Sequence, residues 1–237
     1  MTPAFYHFEE RLLNESTSCT LAIKAHYQWL GGRFPEIKNK LHWHPNGYVP
    51  EMLEDRLRAK RHHLKMVTVG VISDEGVYFV RDLLKTLKDS NIAIRFSHYG
   101  KPPNVQIENE YSSVLKICGT VSHREAVSRV SNADFLLVCS STARAATMLL
   151  SSKLFEYLAT GVPIIVVRPT VPDEEFLSSL PWVLTMDCPD VKRAAEFIRR
   201  CIEENIHADT QWLCSYRAQY NRRTQTQKLA KLLNEIS

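Results

Sequence analysis

Residues 151–167, SSKLFEYLATGVPIIVV, join two elements without a linker. The apolar spacing predicts a short amphipathic helix that Ser151 and Ser152 cap and Gly161 stops, followed at once by a buried strand. Unpaired backbone N–H groups and the helix dipole attract phosphate to such an N-terminus. Glu156, one turn further along, is placed to meet ribose hydroxyls. The stretch therefore predicts a site for a nucleoside diphosphate.

Composition places the chain among ordinary globular proteins. It has 237 residues, 44% of them hydrophobic and 24% charged, which is enough for a sizeable core. The net charge of +4 is mild and dispersed. The densest basic cluster, residues 56–65, is expected to be a solvated connector, with nucleic acid or anionic lipid as the alternative partner. We expect no nucleic-acid partner.

The cysteine pattern and the length of the apolar runs predict where in the cell the protein is found. The six cysteines form no Cys-x-x-Cys pair, which favours reduced thiols and disfavours zinc. Cys118 and Cys139 end apolar runs and are expected to be buried. His42 and His44 share one face of a strand-like segment without a nearby third ligand, so a metal site is disfavoured. No apolar run reaches the roughly 20 residues of a membrane span. A cytoplasmic location is expected, with peripheral association with the inner face of a membrane as the alternative.

The first sixty residues differ in pattern from the rest. Helical spacing of apolar residues predicts one helix near residues 5–13 and a second before Gly31-Gly32. A strand-like segment, residues 41–44, then meets the turn Pro45-Asn46-Gly47. This segment is too short for an independent core. It is expected to be an appendage or the tail of a further domain.

From Met66 onward, apolar runs alternate with helical patterns. The runs lie at 66–72, 92–96, 115–118, 135–139, 164–167 and 182–186. Their alternation with helices predicts a parallel sheet covered on both faces, a doubly wound Rossmann-like α/β domain over residues 61–205. Residues 208–237 are expected to form one long polar helix within a C-terminal helical segment, 206–237.

The order of short motifs resembles the C-terminal domain of GT-B-fold, group-1 retaining glycosyltransferases over roughly residues 40–237. The motifs that carry the resemblance are Pro45-Asn46-Gly47, Gly70, Gly100, Gly119-Thr120-Val121, Ala133-Asp134, Ser140-Ser141, the pattern SKLFEYLAxGxP from Ser152 to Pro163, and Tyr220-Asn221-Arg222 with Lys228-Leu229.

The resemblance implies a donor-binding domain. Such enzymes transfer a hexosyl group from a nucleotide-diphospho-sugar with retention, without a metal or other cofactor, in glycan biosynthesis. Glu156 matches the second glutamate of a pair that holds the ribose, where the alternative is a solvated helix carboxylate. The donor-binding residues it implies are Gly70, Gly100, Gly119, Val121, Ser141, Arg144, Ser151, Ser152, Lys153, Leu154 and Glu156. No catalytic residue is assigned.

The residues that bind the acceptor are expected to lie in another domain. Residues 1–60 match only the end of the N-terminal acceptor domain of such enzymes, so that domain is expected to be missing or separate. The acceptor is then a partner held by that domain, with a lipid-linked acceptor as one alternative. The apolar side of the terminal helix, which crosses to that domain in the family, is expected to be exposed or self-associating.

Two departures from the family pattern leave other functions open. Met148 stands where the first glutamate would be, and Val71 and Asp74-Glu75 stand where the family has an arginine and a lysine. Arg144, Lys153 and Arg168 are the candidate replacements for that positive charge. A non-catalytic nucleotide-sugar-binding or protein-interaction module is the alternative function. A nucleotide-sugar enzyme of the epimerase type is less favoured.

Overall fold

The computed structural model describes residues 3–53, 63–105, 111–139, 153–167 and 176–236. Within these residues six parallel strands form the central sheet: β3 (Leu64–Val69), β4 (Ile94–Tyr99), β5 (Leu115–Ile117), β6 (Phe135–Cys139), β7 (Ile164–Val167) and β8 (Val183–Met186). Their order is β5-β4-β3-β6-β7-β8. This is the doubly wound Rossmann order, in which the direction of winding reverses between β3 and β6. The predicted fold class is confirmed.

Helices pack on both faces of this sheet. They are α3 (Asp74–Asp89), α4 (His123–Ser131), α5 (Lys153–Thr160), α6 (Val191–Glu203) and α7 (Thr210–Tyr220), and α8 (Arg222–Ile236) follows α7 and contacts it. One core lies between the sheet and α3 and α6, and a second lies between the sheet and α5 and α7. β6 and β7 are buried along their whole length because they lie between the two cores.

One side of the sheet is more open than the sequence predicts. Along β4 buried residues alternate with residues that are exposed or half-buried, and Arg95 on β4 and Lys116 on β5 are exposed on the open face. The alternation of apolar and polar residues in these two strands is typical of a strand covered on one face only. The prediction of a sheet covered on both faces is wrong for this edge. The prediction that Cys118 is buried is also wrong, because Cys118 is exposed; Cys139 is buried as predicted.

The N-terminal residues form a small unit of their own. It consists of α1 (Pro3–Glu15), β1 (Cys19–Leu21), α2 (Lys24–Arg33) and β2 (Leu41–Trp43), with β1 and β2 paired in parallel. The second predicted helix continues through Gly31 and Gly32 rather than ending before them. The segment also has a core, contrary to the prediction. That core is a separate cluster of five buried side chains: Leu13, Leu30, Phe34, Ile37 and Leu41.

The predicted turn at Pro45-Asn46-Gly47 leads into a contact with the C-terminal helices. Tyr48 N donates to the Tyr220 carbonyl at 3.0 Å, and Arg222 N donates to the Tyr48 carbonyl at 2.9 Å. The contact falls where the terminal helix is interrupted at Asn221, whose side chain accepts from Thr224 N at 2.8 Å and so caps α8. The prediction of one long terminal helix is therefore wrong.

The apolar side of α8 is only partly covered. Leu233 is 50% exposed, whereas Leu229 and Leu232 are half-buried. The expectation of an exposed apolar side therefore holds for Leu233 alone among these three.

Candidate functional site

Three glycines lie in a line at the carboxyl ends of β3, β4 and β5. Gly70 N donates to the Tyr99 carbonyl at 2.8 Å, and Gly100 N donates to the Gly119 carbonyl at 2.9 Å. A Cβ atom at Gly100 would overlap the carbonyl oxygen of Gly70, so the backbones approach too closely for any side chain. The fold therefore brings together the three predicted donor-site glycines, which we call the glycine line. Ligands of doubly wound sheets bind at this edge.

The sheet opens at the point where its winding reverses, and α5 fills the opening. β3 pairs with β6 only at Met66 and Val67, so Val69 has no strand partner on that side. Two side chains one helical turn apart replace that partner. Lys153 Nζ donates to the Val69 carbonyl at 2.7 Å, and Val69 N donates to the Tyr157 hydroxyl at 2.8 Å. The Lys153 ammonium consequently lies beside Gly70.

The groups around this opening are held in defined protonation states. Burial raises the pKa of Tyr157 far above its usual value, although its bonds with Val69 and Thr68 oppose that shift, so the hydroxyl stays neutral. Burial also lowers the pKa of His98 on β4, and the charge of Lys153 lowers it further, against the opposing bond to the Lys101 carbonyl. His98 Nε2 lies 3.1 Å from that carbonyl, so this nitrogen carries a proton and donates it to the carbonyl oxygen. The charge here is carried by Lys153.

Replacing Tyr157 with phenylalanine is expected to lower the free energy of unfolding by about 1–3 kcal/mol, because the buried Val69 N–H loses its acceptor. Denaturant titration measures the change. Tyr216→Phe is the matched control, since it removes a buried hydroxyl whose bond to the Phe155 carbonyl is long, at 3.4 Å. If Tyr157→Phe costs no more than Tyr216→Phe, the Tyr157 hydroxyl does not hold β3 as described.

Glu156 faces a partner that the sequence analysis missed. His123 Nε2 lies 2.6 Å from Glu156 Oε1, and the two side chains are 45% and 17% exposed, respectively. His123 is the first residue of α4, and Ser122 caps that helix by accepting from Glu125 N at 3.2 Å. The signal was present in the sequence, because His123 follows the Gly119–Val121 turn closely. The distance between His123 and Glu156 depends on how α4 packs against α5, which cannot be predicted from the sequence.

The remaining predicted residues have mixed outcomes. The Leu154 side chain is buried in the core, so only its main chain is left to meet a ligand. Val121 is half-buried and lies just before α4. Four predicted donor-site residues and two others discussed above lie outside the described residues, and their roles stay predictions: Ser141, Arg144, Ser151, Ser152, Met148 and Arg168.

The start of α3 carries acidic and uncharged residues but no lysine or arginine. Val71 is 55% exposed and carries no charge. Asp74 accepts from Asn104 N at 3.0 Å, so this carboxylate holds the loop that follows β4. Ser73 caps the helix by accepting from Gly76 N at 3.2 Å. The first turn of α3 therefore carries two acidic residues, Asp74 and Glu75, which interact favourably with the helix dipole.

A cavity of about 130 Å³ separates the N-terminal unit from α5 and α7, and aromatic side chains such as Trp43 and Tyr220 line it. Within the described ranges no group of three His, Cys, Asp or Glu side chains is arranged to hold a metal ion. A helix long and apolar enough to cross a bilayer is likewise not found in this part of the chain.

Comparisons with known proteins bear on the fold. Neither a protein-family model nor a curated protein matches the sequence. The structure is similar to the GtfA/B complex, with a TM-score of 0.64 and 12% identity over 98% of this chain and 48% of that chain. It is also similar to a glycosyltransferase from Rickettsia africae, with a TM-score of 0.66 and 10% identity over 100% of this chain and 68% of that one. The fold is that of about half of a GT-B glycosyltransferase chain, one Rossmann-like domain.

A third GT-B structure is that of Anabaena HepE in complex with UDP-glucose. Its TM-score is 0.64, with 12% identity over 93% of this chain and 64% of that chain. The chain thus spans about half to two thirds of the length of these GT-B chains. The similarity confirms the resemblance predicted from the motifs at the level of the fold.

Proposed function

We propose that this chain is the nucleotide-sugar-binding domain of a retaining GT-B glycosyltransferase. It holds a nucleoside-diphospho-sugar at the glycine line for transfer to an acceptor carried by a separate N-terminal domain. The observation that carries the proposal is the placement of α5: Lys153 lies against Gly70, and Glu156 faces α4 beside the Gly119–Val121 turn. One helix thus brings a cation and a carboxylate to the edge where such sheets bind ligands.

Each part of the ligand has a matching group. The Lys153 ammonium offers a charge-assisted hydrogen bond to the diphosphate, and the glycine line lets phosphate oxygens approach the backbone closely. The Glu156 carboxylate accepts hydrogen bonds from ribose hydroxyls. The base then lies near Gly119 and Val121. The UDP-glucose complex of HepE, a protein of similar fold, supports this class of ligand.

The distribution of charge favours one alternative, a domain that binds a nucleotide-sugar without catalysing transfer. A diphosphate leaving group needs positive charge in the transition state. Val71, Asp74 and Glu75 supply none at the start of α3. Accelerated release of free sugar from bound donor by this chain would exclude the non-catalytic alternative, because a domain that only binds the donor does not accelerate it.

Calorimetric titration with UDP-, GDP- and ADP-sugars tests the proposal. We expect one of these donors to bind, and Glu156→Gln to weaken it by about 10- to 100-fold, because a hydrogen bond to a charged group is lost. Glu125→Gln is the matched control, since Glu125 lies on α4 and pairs with Arg129 at 3.0 Å. It should change the Kd by less than about twofold. Failure of all three donors to bind, or an unchanged Kd in Glu156→Gln, would refute the proposal.

A further inference from the structure

The bond between His123 and Glu156 joins the two sides of the candidate site. His123 begins α4 directly after the turn expected to meet the base, and Glu156 lies on the first turn of α5 with Lys153. The Nε2–Oε1 distance of 2.6 Å is that of a strong, charge-assisted hydrogen bond. Exposed ion pairs contribute little to stability, but the Glu156 side chain is 17% exposed and therefore partly shielded from water.

We infer that His123 is a positioning residue that orients the Glu156 carboxylate toward a ribose diol and so makes the site prefer ribonucleotides to 2′-deoxyribonucleotides. The inference rests on the proposed function and adds the determinant of sugar specificity. His123 is not a catalytic residue, since it acts through Glu156.

The Glu156 carboxylate can accept hydrogen bonds from His123 and from a ribose at the same time. Its two oxygens offer about four acceptor positions. His123 occupies one position on Oε1, and no described residue donates to Oε2. That oxygen is left for the two vicinal hydroxyls of a ribose. A ligand without the 2′-hydroxyl leaves one of these acceptor positions unused.

The His123 ring can donate to the Glu156 carboxylate whether the ring is neutral or protonated. Neutral imidazole with its proton on Nε2 donates to Oε1, and imidazolium donates in the same way. Holding a glutamate in one rotamer before the ligand arrives removes an ordering cost worth about 2- to 10-fold in affinity.

Other cations nearby do not take this role in the described structure. Arg129, two turns along α4, pairs with Glu125 and lies over the Tyr99 ring. Lys153, on the same helix as Glu156, donates to the Val69 carbonyl. Replacing His123 therefore removes the side chain that donates to Glu156.

The test compares UDP, GDP and ADP with their 2′-deoxy forms by calorimetry on the full chain. For the nucleotide that binds, the wild type is expected to prefer the ribose form by about tenfold. His123→Ala should reduce this preference to about twofold, mainly by weakening the ribose form. His123→Gln, which keeps an N–H donor, should restore part of it. Arg124→Ala, an exposed neighbour on α4, is the matched control and should keep the full preference.

The outcomes separate the inference from the function on which it rests. Equal loss of affinity for both forms in His123→Ala, or an unchanged preference, overturns the role of His123 while the donor site stands. A wild type that binds nucleotide without preferring ribose overturns it as well. A wild type that binds none of the nucleotides overturns the proposed function, and the inference with it. Near-ultraviolet circular dichroism establishes that each variant is folded.

Discussion

Replacing Gly100 with alanine is expected to lower the free energy of unfolding by about 3 kcal/mol or more. The added methyl group would overlap the carbonyl oxygen of Gly70, and a backbone oxygen cannot move aside as a flexible side chain can. Gly70 and Gly100 are also fixed by hydrogen bonds to the Tyr99 carbonyl and the Gly119 carbonyl. Relief of the overlap therefore requires the ends of β3 and β4 to separate. Urea titration followed by circular dichroism measures the loss.

Gly32→Ala provides the opposite control. No atom lies within 4 Å of the position that its Cβ would occupy, and Gly32 lies inside α2. Alanine there is expected to stabilise the protein by about 0.4–1 kcal/mol, because the unfolded chain loses conformational freedom. If Gly100→Ala unfolds within about 0.5 kcal/mol of the wild type, the close approach of β3 and β4 in the glycine line is not present in solution.

Replacing Lys153 with methionine is expected to weaken binding of a nucleoside diphosphate by about 10- to 100-fold. The ammonium that lies beside Gly70 is lost, while methionine preserves much of the apolar stem. The same substitution should leave binding of the corresponding nucleoside nearly unchanged, because that ligand carries no phosphate. Calorimetry with both ligands measures the difference.

The matched control for this substitution is Lys88→Met, at the exposed end of α3. It should alter neither affinity by more than about twofold. Equal losses for nucleoside and nucleoside diphosphate in Lys153→Met would show that Lys153 supports the structure around Val69 rather than the phosphate. An unchanged diphosphate affinity would remove Lys153 from the site.

Residues 153–167 were predictable because their signals are local. The apolar spacing, the stop at Gly161 and the apolar run of β7 each depend on neighbours in sequence, and the structure gives α5 and β7 accordingly. Gly161 has a φ of 70°, a left-handed conformation that glycine adopts readily at a helix end. The order of such elements was enough to predict the fold class.

The contacts of the site were less predictable because they join distant segments. Lys153 and Tyr157 reach Val69 since β3 lacks a strand partner there, which depends on the register between β3 and β6. The bond from His123 to Glu156 likewise depends on how two helices pack. The sequence predicted Lys153 and Glu156 as candidates, but it did not predict Val69, Tyr157 or His123 as residues that they or their helix contact.

The central claim is that a nucleoside diphosphate binds at the glycine line between Lys153 and Glu156. Amide hydrogen exchange of the full chain, with and without saturating UDP, GDP or ADP, locates any bound nucleotide directly. The account predicts slower exchange in peptides that contain Gly70, residues 119–123 and residues 153–157 when the matching nucleotide is added. Unchanged exchange in all three regions, or protection confined to the aromatic cavity beside Trp43, would contradict it.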